Sequence, residues 1–225
     1  MRIKFYAHAS FRLEGNDVAI VTDPYTPGPD ASAFEPINET ADIVIMSSAT
    51  DRFHSDPSHV LGDPIVINAL DIPPEGLEVR GVAFQAFPAM ESLEYDYGRD
   101  PEANAMYSFT LDGLRVLHLG DLGNPVPEQH LQVLEGNVDV LFALAGGEPT
   151  IRLDDLQAAI EVIRPRIVVP MHYHSPRGVL DILPVRAFTE RYPLDSVVWV
   201  GGSEMTLSRE ALPQRLLLYV LEQSR

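Results

Sequence analysis

Leu114 to Leu117 runs directly into His118-Leu119-Gly120-Asp121-Leu122-Gly123, and Ile167 to Val169 runs into Pro170-Met171-His172-Tyr173. An apolar run this short, bounded by glycine or proline, reads as a strand buried on both faces. Strands that need cover on both faces constrain the chain toward a layered α/β arrangement. Each histidine then stands just past the carboxyl end of its strand, where such proteins build their sites. Glycine after His118 lets the backbone approach a ligand closely, and Asp121 adds a carboxylate beside the imidazoles.

The rest of the chain fits this frame. Strand patterns dominate the first half, at Ile3 to Tyr6, Phe11 to Leu13, Val18 to Thr22, Ile43 to Met46, Ile65 to Ile67, Val79 to Phe87 and Met106 to Leu111. Helical spacing enters later. One helix is expected from Pro127-Glu128 through Leu134, and another over Leu153 to Ile163, whose apolar residues recur at Leu153, Leu156, Ile160 and Ile163. Arg164-Pro165 ends that helix and leads into the strand Ile167 to Val169. Pro213 before Leu216 to Leu221 favours a final strand over a helix. The Pro/Gly/Asp-rich stretch from Pro24 to Pro36 reads as a long surface loop, and with no repeat or low-complexity linker the expectation is one domain over residues 1–225.

Further motifs stand in a telling order. Tyr6-Ala7-His8-Ala9-Ser10 lies at the first hairpin, and Val21-Thr22-Asp23-Pro24-Tyr25 at a strand end. Asn104-Ala105-Met106-Tyr107 precedes Leu111-Asp112-Gly113-Leu114-Arg115-Val116, and Val138-Asp139-Val140-Leu141 precedes Ala145-Gly146-Gly147. With the two histidine motifs, this series resembles the metallo-β-lactamase-fold hydrolases, in particular the small metal-dependent hydrolases that include the ascorbate-6-phosphate-lactonase-like proteins. The resemblance implies an α/β (α+β) fold, a four-layer αββα sandwich of two facing sheets with helices outside. It also implies a divalent metal (Zn, Mn or Mg) at one edge of the sheets.

One departure outweighs many agreements. The family's H-x-H-x-D-H loop should follow Ile43-Val44-Ile45-Met46, yet Ser48, Thr50, Arg52 and Phe53 stand where His, His, Asp and His are expected. A later family histidine is also missing, since Phe87-Pro88-Ala89-Met90 is followed by Glu91. Neutral hydroxyls replace imidazole poorly as zinc ligands, and a guanidinium repels a cation. Ser48 and Thr50 are therefore expected to bind no metal, and Arg52 to face solvent or pair with a carboxylate. Asp51, His54 and Asp56 in the same loop offer replacements that can join Asp121, His172 and Glu91 if the backbone is rerouted.

The chemistry-bearing residues accordingly sort into two groups. The metal-ligand candidates are His172, Asp121, His54, Glu91 and His118, with Asp121 also the catalytic candidate. His118 admits two readings, ligand or core histidine satisfied by a carbonyl. Glu91 also admits a plain reading as a solvated carboxylate near Glu94 and Asp96. His8, Asp23, Asp51, His174 and Arg177 are the candidates for the substrate pocket. His59 and His130 read as surface residues.

Charge and composition bound the function. A net charge of −17, with Lys4 the only lysine, repels polyanions, so neither nucleic acid nor an anionic membrane is an expected partner. The expected partner is a small-molecule substrate or ligand. The chain has no cysteine, which removes disulfides, thiolate nucleophiles and Cys-ligated zinc. No apolar run approaches the roughly 18 residues of a membrane span, and Met1-Arg2-Ile3-Lys4 opens no apolar leader, so cytoplasmic residence is the default expectation. Two functions from different classes follow. One is a hydrolase of esters, lactones or phosphoesters with a remodelled, even mononuclear, metal site. The other is a non-catalytic ligand-binding or regulatory protein that keeps the fold and has lost metal and turnover.

Overall fold

The computed structural model describes residues 1–29, 31–51, 53–91 and 104–225. Arg52, Glu94 and Asp96 lie outside the described residues, and with them the expectation placed on the Arg52 guanidinium.

The first half of the chain builds strands. They are β1 (Arg2–Ala7), β2 (Ser10–Gly15), β3 (Val18–Thr22), β4 (Ile43–Met46), β5 (Ile65–Asn68), β6 (Leu77–Val79), β7 (Val82–Ala89), β8 (Asn104–Leu111) and β9 (Leu114–His118). The second half alternates: α1 (Glu128–Leu134), β10 (Val140–Leu144), α2 (Leu153–Ile163), β11 (Ile167–Met171), α3 (Val185–Thr189), β12 (Val197–Trp199), β13 (Glu204–Thr206) and β14 (Leu217–Val220). Among the described residues these strands form a six-stranded sheet in the order β13-β1-β2-β3-β4-β5 and an eight-stranded sheet in the order β12-β14-β11-β10-β9-β8-β7-β6. This is the mixed two-sheet α/β architecture that the resemblance implies.

Residue patterning explains which faces meet. On β1 and β2, Ile3, Phe5, Phe11 and Leu13 are fully buried and share one core with Phe84, Phe109, Val116, Phe142 and Val169 of the other sheet. Phe5 stacks on Phe11 at 4.4 Å between ring centroids, and Phe11 meets Phe142 at 4.5 Å across the sheets. Each fully buried aliphatic or aromatic side chain contributes roughly 1.5–3 kcal/mol. The opposite face of the six-stranded sheet carries a second cluster, where Tyr6, Val21, Val44 and Met46 pack against Tyr25, Phe34 and Ile37. A long loop therefore covers that face, and the α-helices α1 and α2 lie along the connections of the eight-stranded sheet. His59 is buried within this loop layer: its Nδ1 accepts from Ile37 N at 2.9 Å and its Nε2 meets the Tyr25 carbonyl at 2.7 Å. Its surface reading is corrected, because a folded loop needs internal partners for its backbone groups.

Two local departures have equally plain causes. The expected strand Val79 to Phe87 is a hairpin, since Arg80 and Gly81 both adopt positive φ (54° and 76°) and β6 folds back antiparallel on β7. β12, β13 and α3 were not legible in the sequence, being short elements with half-exposed residues whose pairing is set by neighbours. Helix α2 occupies the expected Leu153 to Ile163, buries Leu153, Leu156, Ala159, Ile160 and Ile163, and ends on Arg164 at φ 54° before Pro165.

The parallel run β9, β10, β11 sends three chain segments out of one sheet edge. Parallel pairing of β3 with β4 and β4 with β5 does the same in the facing sheet. The segments after β4, β7, β9 and β11, together with the β1–β2 turn, therefore converge.

Candidate metal centre

Three imidazoles meet at this edge. His8 comes from the β1–β2 turn, His54 from the loop after β4 and His172 from the end of β11; all are buried, and their ligand nitrogens lie within 4.8 Å of one another. Ring centroids are 4.3 Å apart for His8 and His54, 4.2 Å for His8 and His172, and 5.4 Å for His54 and His172. A second group, Asp51, Glu91 and Asp121, brings three carboxylates within the same 4.8 Å. Asp121 joins the two groups, with its Oδ1 3.4 Å from His172 Nε2 and its Oδ2 3.7 Å from His54 Nε2.

Those separations test whether an ion fits. A charge-assisted hydrogen bond would draw the atoms to about 2.7–2.9 Å. Ligands at zinc distances in a tetrahedron stand roughly 3.3 Å from one another, which is close to what Asp121 makes with both histidines. His8 Nε2 and His54 Nδ1 are buried without a hydrogen-bond partner among the described residues, a costly state for a polar atom unless something ligates or bonds it. Donor type and burial thus fit a divalent cation.

Electrostatics differ between the histidines. Burial, with the neighbouring His172 and His54, pushes the His8 pKa well below its ordinary value, so His8 stands neutral with a lone pair to offer. Burial also opposes a proton on His54, but Asp121, Asp51, Asp23 and Glu91 outweigh it and raise its pKa.

The backbone shows how the sequence aims these side chains. Asp51 Oδ1 accepts from His54 N at 2.9 Å and Phe53 N at 2.5 Å, a local turn that directs His54 inward. Asp121 N donates to Asn104 Oδ1 at 2.8 Å. Gly120, at φ +61°, brings the loop so close that a Cβ there would stand 2.4 Å from that same oxygen. Ser48 Oγ lies 3.2 Å from both Thr50 Oγ1 and Thr50 N, so the two residues that replace family histidines hydrogen-bond to each other.

Other candidates fall elsewhere. His118 is fully buried, its Nε2 3.0 Å from the Ala9 carbonyl and its Nδ1 accepting from Gly120 N at 3.0 Å. Burial lowers its pKa, and as a neutral ring with both nitrogens engaged it has no lone pair for an ion. It instead ties the residue after His8 to the residue before Asp121. Asp23 is sealed beneath the site: Oδ1 accepts from Ser47 N and Ser47 Oγ, both at 2.7 Å, and Oδ2 from the Tyr107 hydroxyl at 2.7 Å. His174 and Arg177 are exposed and border a separate surface groove with Trp199 and Val220, where Arg177 Nη2 donates to the Gln223 carbonyl. His130 is half-buried against the Pro88 carbonyl. His8, a substrate-pocket candidate from the sequence, also stands in the imidazole cluster, and the signal for that was a histidine in a tight turn between two buried strands. Asp51, also a pocket candidate, stands in the carboxylate group with Glu91 and Asp121. Among the described residues no helix is long and apolar enough to cross a membrane.

Comparison with known proteins agrees with this fold. Residues 2–172 match the family model described as a beta-lactamase superfamily domain. A UPF0173 metal-dependent hydrolase of Thermococcus onnurineus is 28% identical over 194 residues, covering 78% of this chain and 85% of the relative. One from Salinibacter ruber is 27% identical over 193 residues, with the same coverage. Among solved structures, a candidate zinc-dependent hydrolase of the metallo-beta-lactamase superfamily from Thermotoga maritima superposes with a TM-score of 0.75 at 29% identity, covering 99% of both chains. An isothiocyanate hydrolase from Delia radicum gut bacteria shares the fold, with a TM-score of 0.65 at 13% identity over 97% of this chain and 96% of the other.

Proposed function

The chain belongs to the beta-lactamase superfamily, and from that membership and the buried histidine cluster we propose that it is a metal-dependent hydrolase with a rebuilt metal centre. His8, His54 and His172 hold the ion together with Asp121, while Asp51 and Glu91 supply further carboxylate. The observation that carries this reading is the convergence of three buried imidazoles on one carboxylate, with Asp121 3.4 Å from His172 and 3.7 Å from His54, spacings that ligands of one ion share.

Three imidazole donors favour zinc over magnesium, whereas the carboxylates leave room for manganese. A divalent ion here supplies Lewis acidity toward a carbonyl or phosphoryl oxygen and lowers the pKa of water. The chain's own residues do the remaining work. The buried imidazoles exclude bulk solvent and stay fixed in orientation, and the Asp121 carboxylate accepts the proton that a water nucleophile gives up. Esters, lactones and phosphoesters are the substrate classes within reach of this chemistry.

Protein purified without chelator should contain stoichiometric metal. His172→Ala should abolish both metal and turnover with the fold retained, and Asp121→Asn, which keeps shape and removes charge, should weaken both. Wild-type protein without stoichiometric metal, whose melting temperature ignores added Zn²⁺ or Mn²⁺, would favour the non-catalytic binding protein instead.

A further inference from the structure

The surface groove bordered by His174 and Arg177 has a volume of about 360 Å³, within the range of small-ligand sites. Buried Val220 and Leu221 give it an apolar floor, and Trp199, the chain's only tryptophan, lines it while 50% exposed. Arg186 of α3 sits over the Trp199 ring, its guanidinium carbon 5.1 Å from the centroid. Acids take up arginines elsewhere on this surface: Arg115, Arg152 and Arg215 hold Asp139, Glu148 and Asp195 at 2.8, 2.9 and 2.7 Å. Arg177 and Arg186 face no carboxylate in this way among the described residues; Arg177 donates to the Gln223 carbonyl and Arg186 rests on the indole. In a chain of net charge −17, two guanidiniums without acidic partners flank one apolar groove.

We propose that this groove binds a small aromatic monocarboxylate. The ring of such an acid lies against Trp199 and the apolar floor, where flat aromatic surfaces gain contact, and its carboxylate accepts from the guanidinium groups. A single negative charge suits the site. Glu222 lines the same groove, and with the chain's net charge it opposes a dianion such as a phosphate monoester. None of His8, His54, His172 or Asp121 lines the groove, so the acid held there is not the molecule that reaches the ion. Tyr173 does line it, one residue from His172, with its hydroxyl donating to the Leu221 carbonyl at 2.9 Å. The groove is thus a separate site that adjoins the segment carrying a cluster histidine, and it stands whether or not the hydrolase reading does.

Trp199 reports its own groove, because fluorescence excited at the tryptophan edge comes from that residue alone. Titrating the full chain with phenylacetate should change this emission saturably, with Kd on the order of 1 mM for so small and open a contact. Neutral phenylacetamide, of the same shape, should bind about ten-fold more weakly. Arg177→Gln, at an exposed position, should weaken phenylacetate about ten-fold and leave phenylacetamide unchanged, while Glu222→Gln should tighten phenylacetate about three-fold. As-purified and chelator-treated protein should give the same Kd. Equal affinity for acid and amide, or no response to Arg177→Gln, would overturn the proposal. Binding that vanishes on chelation would place the acid at the ion instead, and emission that follows protein dilution but not added acid would show a second copy of the chain covering the groove; either result defeats it.

Discussion

The backbone N–H of His172 donates to the carbonyl of His8 at 2.8 Å, and both residues hold left-handed backbone, φ +49° and +59°. One hydrogen bond thus locks two of the three clustered imidazoles to each other across the two sheets. Non-glycine residues adopt this region at a cost of roughly 1–2 kcal/mol each, so the fold spends stability to aim them.

This coupling predicts that His8→Ala lowers metal affinity by at least about a hundred-fold, since loss of even an outer partner of a metal ligand costs 10–100-fold. The metal-free variant should melt no lower than metal-free wild type, because alanine removes a buried nitrogen that lacks a partner. Metal content and chelated melting curves measure both. Unchanged metal stoichiometry and affinity would remove His8 from the centre.

Gly146→Ala tests the packing behind His172. A Cβ at Gly146 would stand 2.2 Å from the His172 carbonyl oxygen, so either β10 or the His172 turn must move. Overpacking of this kind costs about 1–3 kcal/mol or more, a drop of several degrees in Tm at this size. Metal affinity should fall with it, and retention of both would mean the strand end is more compliant than its contacts imply.

Tyr107→Phe separates the buried layer from the metal centre. It removes the 2.7 Å hydrogen bond to Asp23 Oδ2 and leaves that buried carboxylate with fewer donors. Stability should drop by about 1–3 kcal/mol in chemical denaturation while metal stoichiometry is unchanged. Loss of metal at unchanged stability would instead place Asp23 and Tyr107 in the centre itself.

Acid should destabilise the chelated protein. Burial holds His8, His59 and His118 below the ordinary histidine pKa, so the unfolded chain, titrating near 6.5, binds more protons in the interval between folded and unfolded values. Their contribution is present above pH about 6.5 and is lost as pH falls through the folded values. His54, raised by its carboxylates, has the opposite sign, contributing below about 6.5 and losing that contribution as pH rises through its folded pKa. Urea midpoints between pH 7.5 and 5 should fall on acidification, and His59→Gln should shallow the fall. A midpoint that rises toward pH 5 would show that His54 dominates.

Local sequence determined the strands and helices whose period and boundaries were strong. The strands expected at Leu114 to Leu117 and Ile167 to Val169 and the helix over Leu153 to Ile163 were readable from apolar spacing, although β9 runs on to His118 and β11 continues through Pro170 to Met171. The position of Asp121 and His172 past two strand ends was readable for the same reason. Tertiary structure alone decided which histidines share the centre. His8 and His172 are far apart in the chain, and only antiparallel β1 and β2 in one sheet facing β11 in the other bring them into contact. His118, adjacent in sequence to the Gly-Asp motif, was drawn away by the Ala9 carbonyl and the Gly120 amide. A buried imidazole is committed by whichever partner its surroundings supply, and those surroundings are assembled by pairing between distant strands, which residue type and local spacing do not encode.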